Sequence, residues 1–316
     1  MPNLNYAEVW DKDLLAILNQ GMLTSPFLTT NVKWVGAKTF HFTQMNTSGY
    51  KSHSRQGGWN KGSYEQNDVP YTVTHDRDIS FLVDKADVDE TNATASIKNI
   101  SKTFHETQQV PEIDAYFFSK VAQEAMKLQG YHSETAEADY TVENVYTKLK
   151  TMLATGKLRR YVKNGSLICY VRSFIMDLLE NCKDFTRKIE MTQIAEGGIG
   201  LETRVTEING VTLMEVIDDE RFYNKFDFTD GFEPVAKADG VEGSKRINVL
   251  IASLETVKTV PKLSSIYYFA PGAHTEGDGY LYQDRSLSDT FVFPNGKDNK
   301  IDSIYVDVDT TEYTAE

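Results

Sequence analysis

The stretch that most constrains this chain runs from residue 75 to residue 129, where a strand pattern, an acidic turn and a long helical pattern follow one another without a glycine. In its first part Ile79, Phe81 and Val83 alternate with mainly polar residues, which predicts a half-buried strand. From Ile97 to Ala125 apolar side chains recur at helical spacing. The stretch therefore predicts one unusually long helix directly after a strand.

Two local features bear on that helix. Asp87, with Glu90 three positions later, can accept hydrogen bonds from the free amides at its start. Pro111 removes a backbone donor within the helical run, so we expect a kink or break near Val110. The periodicity alone equally allows two antiparallel helices joined at Pro111.

The charge balance argues against a phosphate-gripping surface. Forty-six acidic residues stand against 33 basic ones, which gives a net charge of −13, whereas nucleic-acid binding surfaces carry the opposite sign. Acidity most often serves solubility, and it also suits a wall that should not adhere to DNA.

We expect no targeting segment in this sequence. Its longest aliphatic run near the N-terminus, residues 14–18, is too short for a membrane span or a signal peptide. We therefore expect no membrane association and a protein that stays in the cytoplasm or leaves by lysis. Cys169 and Cys182 show no metal or redox spacing, and we expect both to be free, buried thiols.

Residues 1–30 contain a short apolar helical pattern that includes Trp10, Leu14 and Leu18. This pattern fits an N-terminal arm that docks on another body, and it fits equally a helix packed on its own domain.

Residues 44–68 form a long, polar, glycine-containing loop between two extended arms, 38–43 and 69–73. Such loops within compact domains are commonly functional or disordered. The loop carries basic and aromatic side chains: Tyr50, Lys51, Arg55, Trp59, Lys61 and Tyr64. On an acidic chain this composition favours contact with an acidic neighbour, because aromatic residues and arginine dominate interface hot spots. A nucleic-acid finger and a plain flexible loop are the alternatives.

The remaining sequence alternates strands with short helices, so the fold class is α+β. A helical pattern covers residues 142–153, an apolar strand covers 167–171, and Ser173 is placed to cap the following helix. The Asn209-Gly210 pair predicts a tight hairpin over residues 203–217, and residues 253–259 favour a short helix.

No catalytic or phosphate-binding motif is present, the six histidines are scattered, and we expect no cofactor, no metal and no enzymatic activity. The acidic residues beside Arg77 and Arg221 are interpreted as ion pairs and caps, although paired carboxylates can also serve acid–base chemistry.

Several segments in order resemble the major capsid proteins of tailed bacteriophages with the Hong Kong 97-type fold. They are HDRDISFLVDKADVDET, QQVPEIDAYFFSKVAQEA, EINGVTLMEVIDDERF, RINVLIASLETVKTVPKL, DGYLYQDRSLSDTFVF and IDSIYVDV, which together span most of residues 30–308. The PEID run, residues 111–114, and the order of the segments carry most of the likeness.

The resemblance implies a division into domains. It assigns residues 1–37 to an N-terminal arm, 38–83 to an extended loop called the E-loop, 84–139 and 270–316 to a peripheral (P) domain with a spine helix, and 140–269 to an axial (A) domain. It also implies that the long scaffolding segment of some relatives is absent or already cleaved.

The function implied is a virion subunit that assembles in the host cytoplasm into pentamers and hexamers of an icosahedral shell around double-stranded DNA, which it contacts non-specifically. Further partners would be a scaffolding protein, a portal and a decoration protein. An encapsulin-like compartment or a tail-tube protein is the alternative.

For contacts between subunits, the E-loop and the N-terminal arm would reach onto neighbouring copies. The acceptor for the basic loop is expected to be the acidic strip after the strand: Asp84, Asp87, Asp89 and Glu90.

Overall fold

The computed structural model describes residues 21–30, 32, 34–36, 38–53, 57–85, 97–182, 190–191, 204–274, 277–296 and 299–315. The helices in these ranges are α1 (Ile97–Phe104), α2 (Val110–Met126), α3 (Val145–Ala154) and α4 (Ser173–Glu180). The strands are β1 (Thr39–Thr47), β2 (Tyr64–Thr72), β3 (His75–Asp84), β4 (His132–Glu134), β5 (Leu167–Arg172), β6 (Glu190–Met191), β7 (Arg204–Ile208), β8 (Val211–Val216), β9 (Phe226–Asp227), β10 (Glu233–Pro234), β11 (Lys245–Ser253), β12 (Val257–Phe269), β13 (Gly279–Val292) and β14 (Ile304–Glu312). The predicted α+β class is confirmed.

Two sheets organise the body. The larger has seven strands in the order β4-β14-β11-β5-β8-β7-β6, and the smaller has three in the order β12-β13-β3. In the larger sheet β4 runs parallel to β14 and β5 runs parallel to β8, while the other neighbours are antiparallel. Two short pairs, β1-β2 and β9-β10, stand beside them.

Helices cover both faces of the seven-stranded sheet, which makes three layers. Alternate residues of β5 show this: Cys169 packs in the core beneath α3 and α4, whereas Tyr170 packs in the core beneath α2. All six residues of β5 are buried, which explains its continuous apolar run.

The long helical run is continuous from Ile97 to Met126, and it contains one π-helical turn, His105–Gln109, between α1 and α2. The Val110 amide donates to the carbonyl of His105, five residues back. The expected break near Val110 does not occur, because the residues around Pro111 keep helical dihedral angles and Pro111 lies in the first turn of α2. The two-helix alternative is thereby excluded.

The strand before the helix follows the predicted alternation. In β3 the side chains of Ile79, Phe81 and Val83 face inward, while those of Ser80 and Leu82 are exposed. The start of the helix, with Asp87 and Glu90, lies outside the described residues.

The extended arms pair as an antiparallel hairpin from Thr39↔Thr72 to Thr47↔Tyr64. The strands thus continue further into the polar stretch than its lack of apolar periodicity suggested, and the connecting loop spans only residues 48–63. Backbone hydrogen bonds between strands need no apolar side chain. The apolar pattern therefore does not predict that residues 44–47 and 64–68 belong to the strands.

The Asn209-Gly210 hairpin is confirmed: these residues have φ angles of 51° and 81°, as a tight type I′ turn requires, and they join β7 to β8. Two local predictions were wrong. Residues 254–256 form a turn between β11 and β12, whereas a helix was expected. Ser173 is the first residue of α4, and its hydroxyl donates to the Val216 carbonyl, so it does not cap the helix.

The sheet topology corrects one expected boundary. Residues 257–269 were grouped with the 140–269 unit, but β12 pairs with β13 from Val257↔Val292 to Phe269↔Leu281 and so belongs with the three-stranded sheet. Conversely β14, placed in the 270–316 unit, lies in the seven-stranded sheet between β4 and β11. The hydrogen bonds that each strand makes along its whole length determine which sheet it joins, whereas its position in the chain does not.

Both cysteines are free and buried, as expected. Among the described residues, no helix is long and apolar enough to cross a membrane.

Candidate inter-subunit surface

The base of the β1–β2 hairpin is packed on the body by an aromatic cluster. Phe40 is almost fully buried and contacts Trp34, Tyr71 and Phe291, with ring-centroid distances of 5.6, 5.7 and 5.2 Å. Phe42 stacks on Phe293 at 4.5 Å. These contacts fix where the hairpin leaves the three-stranded sheet.

Asp289 ties the returning strand of the hairpin to the long helix. Its carboxylate accepts hydrogen bonds from the Thr74 amide at 3.0 Å, the Thr74 hydroxyl at 2.8 Å and the Tyr116 hydroxyl at 2.9 Å. Burial and the neighbouring Asp289 carboxylate raise the pKa of Tyr116. The Tyr116 hydroxyl therefore remains a donor, and the junction keeps its hydrogen bonds.

Asp76 forms a second anchor at the base. It accepts from the Arg285 guanidinium at 3.0 and 2.9 Å and from the Lys38 ammonium at 2.9 Å. The hydrogen bonds from Arg285 and Lys38 lower the pKa of Asp76 below its ordinary value. This carboxylate links the first residue of the hairpin region to β3 and β13.

A third anchor joins β3 to the helix and to the 228–231 loop. Arg77 pairs with Glu112 at 2.6 Å and donates to the Gly231 carbonyl at 3.1 Å. His75 lies 3.3 Å from Glu112 and stacks on the ring of Tyr116 at 3.9 Å. The acidic neighbours of Arg77 were expected to form ion pairs, and Asp76 does so with Lys38 and Arg285. Arg77 itself pairs with Glu112 in the helix.

The tip of the hairpin has a different environment. Tyr50, Trp59 and Tyr64 are 110, 95 and 74% exposed. The tip is held by hydrogen bonds within the hairpin, since Asn60 donates to the Ser52 carbonyl at 2.8 Å and the Lys51 ammonium lies 3.3 Å from the Lys61 carbonyl. A rigid base thus presents three bare aromatic rings and two lysines to solvent.

Some expected site residues lie outside the described part of the chain. These are Arg55 of the loop, Asp87, Asp89 and Glu90 of the acidic strip, and Trp10, Leu14 and Leu18 of the N-terminal arm. Asp84, the remaining residue of the strip, ends β3 and is exposed.

The root of the N-terminal arm, residues 21–30, packs on its own body. Phe27 is fully buried against Phe117 of α2, with ring centroids 4.7 Å apart, and it also contacts Tyr170 of β5. The Thr29 amide donates to the Thr259 carbonyl at 2.9 Å, which attaches the root to the edge of β12. Residues 21–30 therefore pack on their own domain and do not dock on another body.

Asp114 is the anchor of that root, and its role was missed from the sequence. The fully buried carboxylate accepts from the Thr24 hydroxyl at 2.7 Å and from the amides of Leu23 and Thr24 at 3.1 Å each. Arg221 lies 3.2 Å away, and it also pairs with Asp218 at 2.8 Å. Burial raises the pKa of Asp114, and Arg221 with the hydrogen-bond donors partly offsets the rise. A carboxylate within the apolar PEIDAYFF run was the available signal.

The second predicted charge cluster also behaves as expected. Asp218 pairs with Arg221 and accepts a hydrogen bond from the Glu220 amide at 3.1 Å, capping a short 3-10 turn. In the described part of the chain no cluster of histidine, cysteine or acidic residues has the arrangement of a metal site.

No family model and no curated protein sequence matches this chain. Solved structures do match its fold. A structure of the bacteriophage PhiM1 mature capsid shares 15% sequence identity and a TM-score of 0.57, covering 87% of this chain and 82% of that one. The capsid structure of the cyanophage P-SCSP1u shares 11% identity and a TM-score of 0.56, covering 93% and 89%. A structure from Microbacterium phage Oxtober96 shares 9% identity and a TM-score of 0.54, covering 92% and 91%.

These likenesses extend over most of each chain, and they confirm the expected fold. The chain has the Hong Kong 97-type fold of tailed-phage capsid proteins.

Proposed function

We propose that this chain is the major capsid protein of a tailed bacteriophage and that copies of it form the shell of the phage head. One observation carries the proposal. A hairpin clamped at its base extends bare aromatic rings away from a body that has the fold of phage capsid proteins. Exposed Trp and Tyr on a rigid element are typical of interface anchors, which bury their area only against a partner.

The partner is another copy of the chain. The hairpin, as an E-loop, reaches over the adjacent subunit and places Arg55, Trp59 and Lys61 against the acidic strip around Asp84–Glu90. Such a contact uses different surfaces on the two subunits, so repeated rotation closes rings, here pentamers and hexamers of an icosahedral shell. Many modest contacts per subunit then give a stable particle.

The domain roles follow the two sheets. The three-stranded sheet with α1 and α2 forms the peripheral domain, and the seven-stranded sheet with α3 and α4 forms the axial domain. Residues 1–20 continue the arm and dock on a neighbour, whereas residues 21–30 stay with their own subunit.

The subunit serves as structure and not as an enzyme. Its shell assembles in the host cytoplasm, becomes part of the virion and encloses double-stranded DNA without reading its sequence. The charge of −13 is consistent with a wall to which packaged DNA does not adhere. Scaffolding, portal and decoration proteins are the further partners of such a shell.

Electron microscopy of the expressed full chain tests this proposal. We expect pentamers, hexamers or closed shells. Nuclease-protected DNA in particles from infected cells identifies a phage head, whereas particles filled with protein cargo identify an encapsulin-like compartment. Tubes or stacked rings identify a tail-tube protein, and a small oligomer at all concentrations contradicts the proposal.

The hairpin contact has its own test. The double variant Arg55→Glu/Lys61→Glu should keep the fold, because the tip is outside the core, but should lose shell formation through like-charge repulsion. The matched control is Lys258→Glu/Lys300→Glu, which makes the same charge change outside the hairpin. Normal shells from the hairpin variant exclude this contact.

A further inference from the structure

The seven-stranded sheet separates two stretches of opposite charge. Residues 144–163 contain six basic residues and no acidic one, and residues 217–242 contain eight acidic residues against three basic ones. Their separation therefore calls for a physical explanation beyond solubility.

The basic stretch lies on one face of the sheet. Leu149 of α3 and Leu158 of the following 3-10 helix belong to the core shared with α4 and Cys169. The exposed bases of this layer form what we call the basic surface: Lys150, Lys157, Arg159 and Arg160. Of these, Arg160 pairs with Asp302 at 3.0 Å.

The acidic stretch lies on the opposite face. Phe222 packs on Phe118 of α2 with ring centroids 4.8 Å apart, and Phe226 belongs to a cluster with Ala115 of the same helix. Four of the exposed acids of this layer form what we call the acidic surface: Glu220, Asp227, Asp230 and Glu233.

One arrangement within the acidic surface is unfavourable in the isolated subunit. Glu233 stands directly opposite Asp227 in the β9–β10 pair, and like charges at such positions repel. Hydrogen bonds from the side chain and amide of Thr229 lower the pKa of Asp227, so its carboxylate remains charged. A cation supplied from outside the subunit would relieve this repulsion.

We infer that the basic surface of one copy docks on the acidic surface of the next copy around each ring of subunits. This inference rests on the proposed function, and it names a contact other than the hairpin. A ring contact joins two different surfaces of identical subunits, which suits opposite charges on opposite faces. A two-fold contact would instead bring like surfaces together.

A second copy fits the basic surface better than nucleic acid does. The net charge of −13 repels a polyanion, and four exposed bases give a small phosphate-binding footprint. Every copy has one acidic surface for each basic surface, and that acidic surface carries four exposed carboxylates.

Charge reversal tests the docking. Lys150→Glu/Arg159→Glu on the basic surface should reduce ring and shell formation roughly tenfold or more, because it sets like charges against each other. Glu220→Lys/Glu233→Lys should do the same. Combining all four substitutions in one chain restores opposite signs and should restore assembly. Far-UV circular dichroism and thermal unfolding check the fold, and Glu233→Lys should not weaken it, since it removes the repulsion with Asp227.

The control is Lys258→Glu/Lys300→Glu, which should assemble like wild type. Raising the salt to about 1 M, where charges are screened beyond about 3 Å, should partly rescue the two-site variants. Wild-type levels of assembly in both two-site variants, or failure of the four-site variant, overturn the docking while leaving shell formation by the wild type intact. Normal shells with reduced nuclease-protected DNA from Lys150→Glu/Arg159→Glu overturn it too and assign the basic surface to nucleic acid. If the wild type forms no rings or shells, the proposed function itself fails.

Discussion

The root of the N-terminal arm and the tip of the β1–β2 hairpin both carry aromatic side chains, yet they end in opposite environments. Phe27 at the root is fully buried by its own subunit, whereas Trp59 at the tip is 95% exposed. The root is also fixed to Asp114, while the tip is held by hydrogen bonds within the hairpin. The difference separates residues that stabilise the fold from exposed residues for which we propose a contact with another copy.

The largest effect on stability should come from Phe27→Ala. Removing a fully buried ring that packs on Phe117 and Tyr170 should lower the free energy of unfolding by about 3–5 kcal/mol. Urea unfolding of unassembled subunits, followed by far-UV circular dichroism, measures it. A loss below about 1 kcal/mol would show that the root detaches easily, and the contrast with the tip would disappear.

A somewhat smaller loss should follow Asp114→Ala. The substitution leaves the Thr24 hydroxyl and two amides without their acceptor, while Arg221 keeps Asp218 as a partner. We expect a loss of about 2–3 kcal/mol in the same unfolding assay. Asp230→Ala, at an exposed position, is the control and should change stability by no more than about 0.5 kcal/mol. Equal effects of the two substitutions would remove Asp114 as the anchor of the root.

The base of the hairpin should respond to acid. Because Asp76 has a pKa below its ordinary value of 3.8 in the folded protein, its anchor stabilises the fold above that value and is lost as pH falls below it. Thermal unfolding measured from about pH 5 down to about pH 2 should therefore show, mainly below about pH 4, a loss of stability that is absent from Asp76→Asn. The variant should be less stable than wild type near neutral pH, and the gap should narrow in acid. A gap that is constant with pH would show that the charge of Asp76 contributes nothing.

The smallest effect on the subunit should come from Trp59→Ala. An exposed ring at the tip contributes little to folding, so unfolding should shift by no more than about 0.5 kcal/mol, whereas shell formation should be lost. Trp34→Ala is the matched control at the base, where the ring packs 5.6 Å from Phe40, and it should destabilise the subunit. If Trp59→Ala unfolds as easily as Trp34→Ala, the tip belongs to the fold and not to an interface.

The sequence predicted elements whose signal is local. The alternation in β3, the Asn209-Gly210 turn and the apolar stripe of the long helix each depend on neighbours in the chain, and each is present. The exposure of Tyr50, Trp59 and Tyr64 was predicted for a similar reason, since no apolar period surrounds them.

What escaped prediction depends on partners far away in the chain. Asp114 meets Thr24 across 90 positions, and Arg77 meets Glu112 across 35, so neither contact has a local pattern. The pairing of β12 with β13 was also missed, because an apolar strand shows that it is buried but not against which sheet. The two charged surfaces required knowledge of which layer carries each segment.

The π-helical turn at His105–Gln109 changes the direction in which the side chains of the long helix point before and after it. A single extra residue rotates everything beyond it by about 100° around the helix axis. Ile100 can therefore pack with Val83 and Tyr282 of the smaller sheet, while Phe118 packs with Tyr170 of the larger one. One continuous helix thus packs on both sheets. Removing a single residue from the π-helical turn would rotate one half of the helix away from the sheet that it contacts.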